Sequence, residues 1–509
     1  MANSMCISRA TVHGLLWAHM NERESFGDIA VVEGSRTISY ENLWNDAMNV
    51  AGFLQSQGVL PGAAVGVVID RTSRHLINIL GILIAGAAYV PLSARDTLAR
   101  RERILQCSGV ELVIGRTTTE STIAPWVACP PPGAESGLQS RDVEVDAKSP
   151  AYVLCTSGTS GEPKGVAMSH GALVNLLTWH QETRPGSCQL RTLQFCDTRF
   201  DFSFHEIFST LCFGGSLVLT EDAVRAEPTR LWRHIETFKV ERAFFPVPIL
   251  RRMAVASERL DLNLHLSAVV TTGARLHLTD AERSLFGRCG AELHNHYGAT
   301  EFQDATTATL TGDPFTWPEF PSIGRPIAGM RVEILDTNRE RVEPGHLGEI
   351  VVSGIGVAEG YINCTNSRKS GFGNSDAAGG RRYRTGDLGL FDSSGDIHVC
   401  GRVDNEIRVG GFRVQPEELE GLLEQEPSIS QAAVISENVG GRVSLVVVVI
   451  VKEGADPSEV RGLARLRIDD ATPGMLVPPR CVVLAELPLT ATGKVDRRKL
   501  SSDVATKDR

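Results

Sequence analysis

Apolar positions along the chain follow two spacings. Short runs at Ala63–Ile69, Leu217–Thr220, Ala268–Thr271 and Glu349–Ser353 have the length of buried strands. Between them, Tyr40–Gln57 and Leu76–Ala85 carry apolar residues at helical intervals. This alternation predicts an α/β fold with buried sheets, and no repeat of fixed period runs through it. Leu76–Leu92 (LINILGILIAGAAYVPL) is uncharged over about 17 residues, near the lower limit for a membrane span. Its glycines and Pro91 divide it, so it predicts a short buried helix followed by a strand. The Gly- and Ser-rich stretch Ser367–Gly380 predicts a mobile surface loop, and the turn-formers at Asp392–Asp396 and Gly401–Asn405 predict a hinge. The domain boundary is placed near Asp404.

A chain of 509 residues is too long for one core, so a large and a small domain are expected. The net charge of -10, with no dense basic cluster, argues against a nucleic-acid partner. Eleven scattered cysteines without a CxxC pair suggest neither a zinc site nor a disulfide framework, as expected for reduced thiols. The N-terminus has no secretory pattern, so a cytoplasmic enzyme without a membrane anchor is expected.

The richest motif is AYVLCTSGTSGEPKGVAMSH, Ala151–His170, in which an apolar run leads into TSGTSGEPKG at Thr156–Gly165. Such a loop offers backbone N–H groups and hydroxyls to phosphate oxygens at low steric cost. It is not a Walker A loop, because Lys164 follows Pro163 and precedes Gly165. Four further motifs follow in order: HYGATE at His296–Glu301, YRTGDLG at Tyr383–Gly389, GRVDNEIRVGGFRV at Gly401–Val414 and PLTATGKVDRRKL at Pro488–Leu500.

With ISYENL at Ile38–Leu43 and GAAYVPL at Gly86–Leu92, this ordered set covers nearly the whole chain. It resembles the amino-acid adenylation domains of nonribosomal peptide synthetases, in the adenylate-forming superfamily with acyl-CoA synthetases and luciferases. The resemblance implies an α/β fold: a large N-terminal domain of stacked α/β sheets, residues 1–403, and a small mobile C-terminal α+β domain, residues 404–509. It also implies ATP and Mg²⁺. A substrate carboxylate would attack the α-phosphate of ATP as pyrophosphate leaves, so neutralising negative charge should dominate catalysis.

Roles implied by the resemblance can be carried over position by position. Lys494 would bridge the carboxylate and the α-phosphate. Glu301, beside Thr300, would hold Mg²⁺. Thr156, Ser157, Gly158, Thr159, Ser160, Gly161 and Lys164 would clamp the phosphates. Tyr297 would stack near the adenine, with Gly298 beside it. Asp387 would accept from the ribose hydroxyls, Arg402 would contact ribose or phosphate, and Asp404 would be the pivot of the small domain.

In FDFSFHEIF, Phe200–Phe208, the resemblance makes Asp201 the partner of a substrate α-ammonium, which favours an amino acid over a fatty or aryl acid. Phe202, His205, Phe244, Val270, Thr272, Gly273, His296, Asp304 and Ala305 are expected around the rest of the pocket. Asp304 is a second acid, costly to bury unless something meets it. Two readings stand open: a substrate with a cationic or strongly donating side chain read by Asp304 with His205 or His296, or a neutral amino acid such as proline, with Asp304 paired to a histidine. A β-amino acid would also leave its amine within reach of Asp201.

Only Ser501–Arg509 follows the lysine motif, and no GGxS-type carrier sequence is present. The expectation is a free-standing enzyme that loads the phosphopantetheine thiol of a separate carrier protein. Its small domain would turn about Asp404, withdrawing Lys494 and bringing Gly410–Gly411 to the thiol. Ala299, Gly410 and Thr492 depart from the family's usual residues without removing a required charge. The alternatives are an acid–CoA ligase and a non-catalytic nucleotide-binding module.

Overall fold

The computed structural model describes residues 9–115, 123–133, 143–156, 163–184, 186, 189–362, 371–373, 380–403, 407–409, 412–414, 416–439, 442–452, 454–472, 475, 479–488 and 495–506. Among these, the strands before Val403 form three sheets. The largest runs in the order Arg325–Pro326, Gln303–Leu310, Glu292–Ala299, Ala268–Thr271, Arg242–Phe244, Arg191–Gln194, Ser216–Leu219, Ile29–Glu33 and Arg36–Ser39. A second sheet centres on Pro150–Thr156, Ala88–Leu92 and Ala64–Val68, and a third on Gly348–Gly354 and Arg382–Phe391. Central strands of the first two sheets pair in parallel.

The apolar runs occupy these strands: Ala64–Val68, Ser216–Leu219, Ala268–Thr271 and Gly348–Gly354. The helical stretches form Tyr40–Ser56 and Ser73–Ile84. Ser39 starts the first, its hydroxyl accepting from Asn42 N at 3.2 Å. Leu43, Trp44, Ala47, Val50, Ala51 and Leu54 then put one stripe of that helix into the core. The second helix is buried from His75 to Ile84, which explains the uncharged run that begins at Leu76, and a turn at Gly86 (φ +76°) passes the chain into strand Ala88–Leu92. Among the described residues no helix is long and apolar enough to cross a membrane.

Beyond residue 406 the chain forms a two-stranded ribbon, Ile407–Val409 with Phe412–Val414, and a three-stranded sheet, Ile429–Val439, Arg442–Val451 and Arg480–Leu484. The middle strand is apolar almost throughout because both faces are covered. Leu445, Val447 and Val449 enter one core and Val446, Val448 and Ile450 the other.

Two expectations change. Asp392–Asp396 is a hairpin turn rather than part of a hinge. It joins the antiparallel strands Arg382–Phe391 and Ile397–Arg402, and the Asp392 carboxylate accepts from Ser394 N at 2.9 Å and Asp396 N at 3.0 Å. Within Ser367–Gly380, Phe372–Gly373 is an edge strand on Arg382–Tyr383, while 367–370 and 374–379 lie outside the described residues.

Candidate active site

A cleft of about 1440 Å³ opens at the ends of the sheets, and its wall collects residues from several of the motifs. Thr156 and Pro163 flank the mouth of the phosphate-loop motif. Thr156 ends strand Pro150–Thr156 and pairs with Lys164 on the return strand Lys164–Ser169, so both ends of the motif stand at the cleft. Ser157, Gly158, Thr159, Ser160 and Gly161 lie outside the described residues, as do Asp404 and Lys494. Lys164 Nζ stands 5.0 Å from the Tyr361 ring centroid.

Gly298, Ala299, Thr300 and Glu301 also line the cleft. They make the turn between the antiparallel strands Glu292–Ala299 and Gln303–Leu310, closed by Phe302 N donating to Ala299 O at 2.9 Å. Gly298 is required there: a Cβ at this position would stand 2.2 Å from Gln303 O. Glu301 is buried, and its Oε1 accepts from Tyr361 OH at 2.8 Å. A carboxylate lining the cleft is a hard oxygen donor suited to Mg²⁺.

Asp387 sits behind this turn on strand Arg382–Phe391. Its Oδ2 accepts from Tyr297 OH at 2.6 Å, its Oδ1 accepts from Arg402, and Arg408 approaches to 3.5 Å. The strand register sets Asp387 opposite Arg402. Burial, with Asp387 beside it, raises the Tyr297 phenol well above its ordinary value, so it donates as a neutral hydroxyl. Tyr297, Asp387 and Arg402 lie behind the cleft wall, whereas Arg408 is on it. The sequence reading missed both Arg408 and Tyr361, although Arg408 stands inside the motif GRVDNEIRVGGFRV.

Asp201 immediately precedes helix Phe202–Leu211 and faces the cleft. Burial, reinforced by the Asp304 charge, raises its carboxyl to about 7. Glu206, further along that helix, fixes the approach to Asp201 by accepting from Phe195 N at 2.9 Å and Cys196 N at 3.1 Å. Phe202, Thr272, Gly273 and Asp304 share the cleft wall with Asp201. His205, Phe244, Val270, His296 and Ala305 are buried one layer behind, with the Phe202 ring 5.1 Å from that of Phe244.

Asp304 Oδ2 accepts from His205 Nδ1 at 2.8 Å and His296 Nδ1 at 3.1 Å. Burial pushes this carboxyl up, but the two imidazoles outweigh it and hold the group well below the usual carboxylate range. One ligand atom from each of His205, His296 and Asp304 lies within 4.8 Å of the others, a spacing that could also hold a metal ion.

The AMP-binding enzyme family matches residues 17–362. Tyrocidine synthase 2 of Brevibacillus parabrevis is 30% identical over 500 residues, covering 96% of this chain, yet the match spans 14% of that protein. Syringomycin synthase SyrB1 of Pseudomonas syringae pv. syringae is 32% identical, across 94% of this chain and 79% of its own length. Among solved structures, holo-PA1221, described as an NRPS protein containing adenylation and PCP domains bound to a vinylsulfonamide inhibitor, superposes with a TM-score of 0.82 at 25% identity, covering 98% of this chain and 85% of its own. The amide bond synthetase McbA of Marinactinospora thermotolerans has the same fold, with a TM-score of 0.82 at 24% identity over 97% of this chain and 99% of its own. The chain belongs to the family of AMP-binding enzymes and is an adenylate-forming ligase.

Proposed function

We propose that the enzyme joins an amino acid to AMP from ATP and passes the aminoacyl group to the phosphopantetheine thiol of a separate carrier protein. The observation that carries this reading is Asp201: a carboxylate on the same cleft wall as Thr300 and Glu301, where a fatty or aryl acid would offer it no cation. Its anion holds the substrate α-ammonium and so orients the carboxylate toward the nucleotide.

Thr156 with the loop through Gly161, and Lys164 beyond it, bind the phosphates. Asp387, steadied by Tyr297 and Arg402, takes the ribose hydroxyls. Mg²⁺ held by Glu301 beside Thr300 would supply neutralisation of phosphate charge. Lys494 places its ammonium between the attacking carboxylate and the α-phosphate, where negative charge concentrates.

Residues 1–403 and 404–509 act as two bodies with Asp404 as the pivot, and rotation exchanges Lys494 for the Gly410–Gly411 segment between the half-reactions. The test is Lys494→Ala, assayed separately for adenylate formation and for thioester transfer from pre-made aminoacyl-AMP. The first falls about 100-fold or more while the second is retained. Equal loss of both contradicts the alternation.

A further inference from the structure

Behind the cleft wall runs a chain of buried side chains whose proton order has one solution. A carboxylate only accepts, so Nδ1 of His205 and Nδ1 of His296 both carry hydrogen toward Asp304, at 2.8 and 3.1 Å. A neutral His205 then accepts at Nε2, 2.7 Å from Nδ1 of His180. His180 in turn donates from Nδ1 and accepts at Nε2, 3.4 Å from an Arg242 N–H. Arg242 is fully buried and also donates to the hydroxyls of Thr192, Ser209 and Thr210 at 3.0, 3.2 and 2.8 Å. Read from the other end the order is the same: Arg242 can only donate, so His180 accepts at Nε2 and each of the two rings carries its single hydrogen on Nδ1, both imidazoles being neutral. A permanent cation therefore stands at one end of the chain and a carboxylate at the other, joined through two imidazoles of fixed tautomer.

We propose that this relay meets the charge of Asp304 from inside the protein, and that the activated amino acid accordingly carries a neutral side chain. The proposal rests on the amino-acid reading above and assigns the α-ammonium to Asp201 alone. A second ammonium or guanidinium reaching Asp304 would meet a carboxylate that is already matched, and it would be desolvated there without a partner. The neighbouring wall residues Phe202, Pro246, Ile249 and Thr272 bring no charge to receive it.

ATP–pyrophosphate exchange on the intact chain, with size-matched substrates such as norvaline against 2,4-diaminobutyrate and leucine against ornithine, reads the claim directly. The neutral member of the best pair leads by about tenfold or more in kcat/KM, and a preference for any cationic amino acid overturns the proposal. His180→Leu cuts the relay, so the ratio of cationic to neutral turnover rises several-fold. His180→Gln, which can accept and donate at the same two points, keeps the parent ratio. A purely structural role lowers both substrates alike, so an unchanged ratio in folded His180→Leu also overturns the proposal. Exchange with fatty or aryl acids and with no amino acid would instead remove the underlying reading, and the substrate class with it.

Discussion

At Asp201, burial and the neighbouring Asp304 charge act in the same direction, and the carboxyl titrates near 7. A bound α-ammonium needs it ionised, so below about pH 7 binding must first remove a proton. KM for the amino acid therefore rises about tenfold for each pH unit below that point and is flat above it. Exchange kinetics as a function of pH check this, and Asp201→Asn should flatten the profile while lowering kcat/KM by about 30-fold or more. The same shift has a stability consequence. An unfolded aspartate titrates at about 3.9, so between about 4 and 7 the folded state holds a proton that the unfolded state has lost. Stability contributed by this group declines as pH rises through that window, and Asp201→Asn should remove that part of the pH dependence of Tm. Asp201, Glu301 and Asp387 were legible in the sequence because each sits in a contiguous motif. His180 and Arg242 were not, because they join the Asp304 network through contacts spanning 25, 62 and 99 residues, and no local spacing pairs such positions.

Helices Tyr40–Ser56 and Ser73–Ile84 show how an element's sequence follows from its packing. They approach so closely that a Cβ on Gly81 would stand 2.6 Å from Val50 Cβ and 2.8 Å from Ala47 O. Gly81→Ala is expected to cost about 1–3 kcal/mol, because gain in helix propensity is smaller than the overpacking against backbone. Urea unfolding should show a lower midpoint with an unchanged slope. Both helices were readable because their apolar spacing is long and regular. Strand Arg442–Val451 was not read from the sequence, because its two buried faces, filled by alternate residues, give a continuous apolar run without the period-2 signal of a half-buried strand. Asp392–Asp396 misled because a hairpin turn and an interdomain hinge use the same residues, and only strand pairing across the turn separates them. Phe372–Gly373 is too short to leave any periodic signal.

Across the whole molecule, the cleft gathers Asp201, Thr300 and Glu301 from the elements before Val403 together with Arg408, Val414 and Leu419 from the C-terminal elements. The order of the motifs announced that convergence, since residues spread from Thr156 to Arg408 line one cleft. Pocket depth was not legible, because it depends on Phe202 standing in front of Phe244. The proposed function makes charge complementarity the central device: Asp201 for the ammonium, and Lys494 with Glu301-held Mg²⁺ for the phosphates. Amino-acid-dependent ATP–pyrophosphate exchange by the purified chain tests this most directly. The account predicts exchange that requires an amino acid and falls sharply in Asp201→Asn. Absence of amino-acid-dependent exchange, with CoA thioester formed from a fatty or aryl acid, would contradict it.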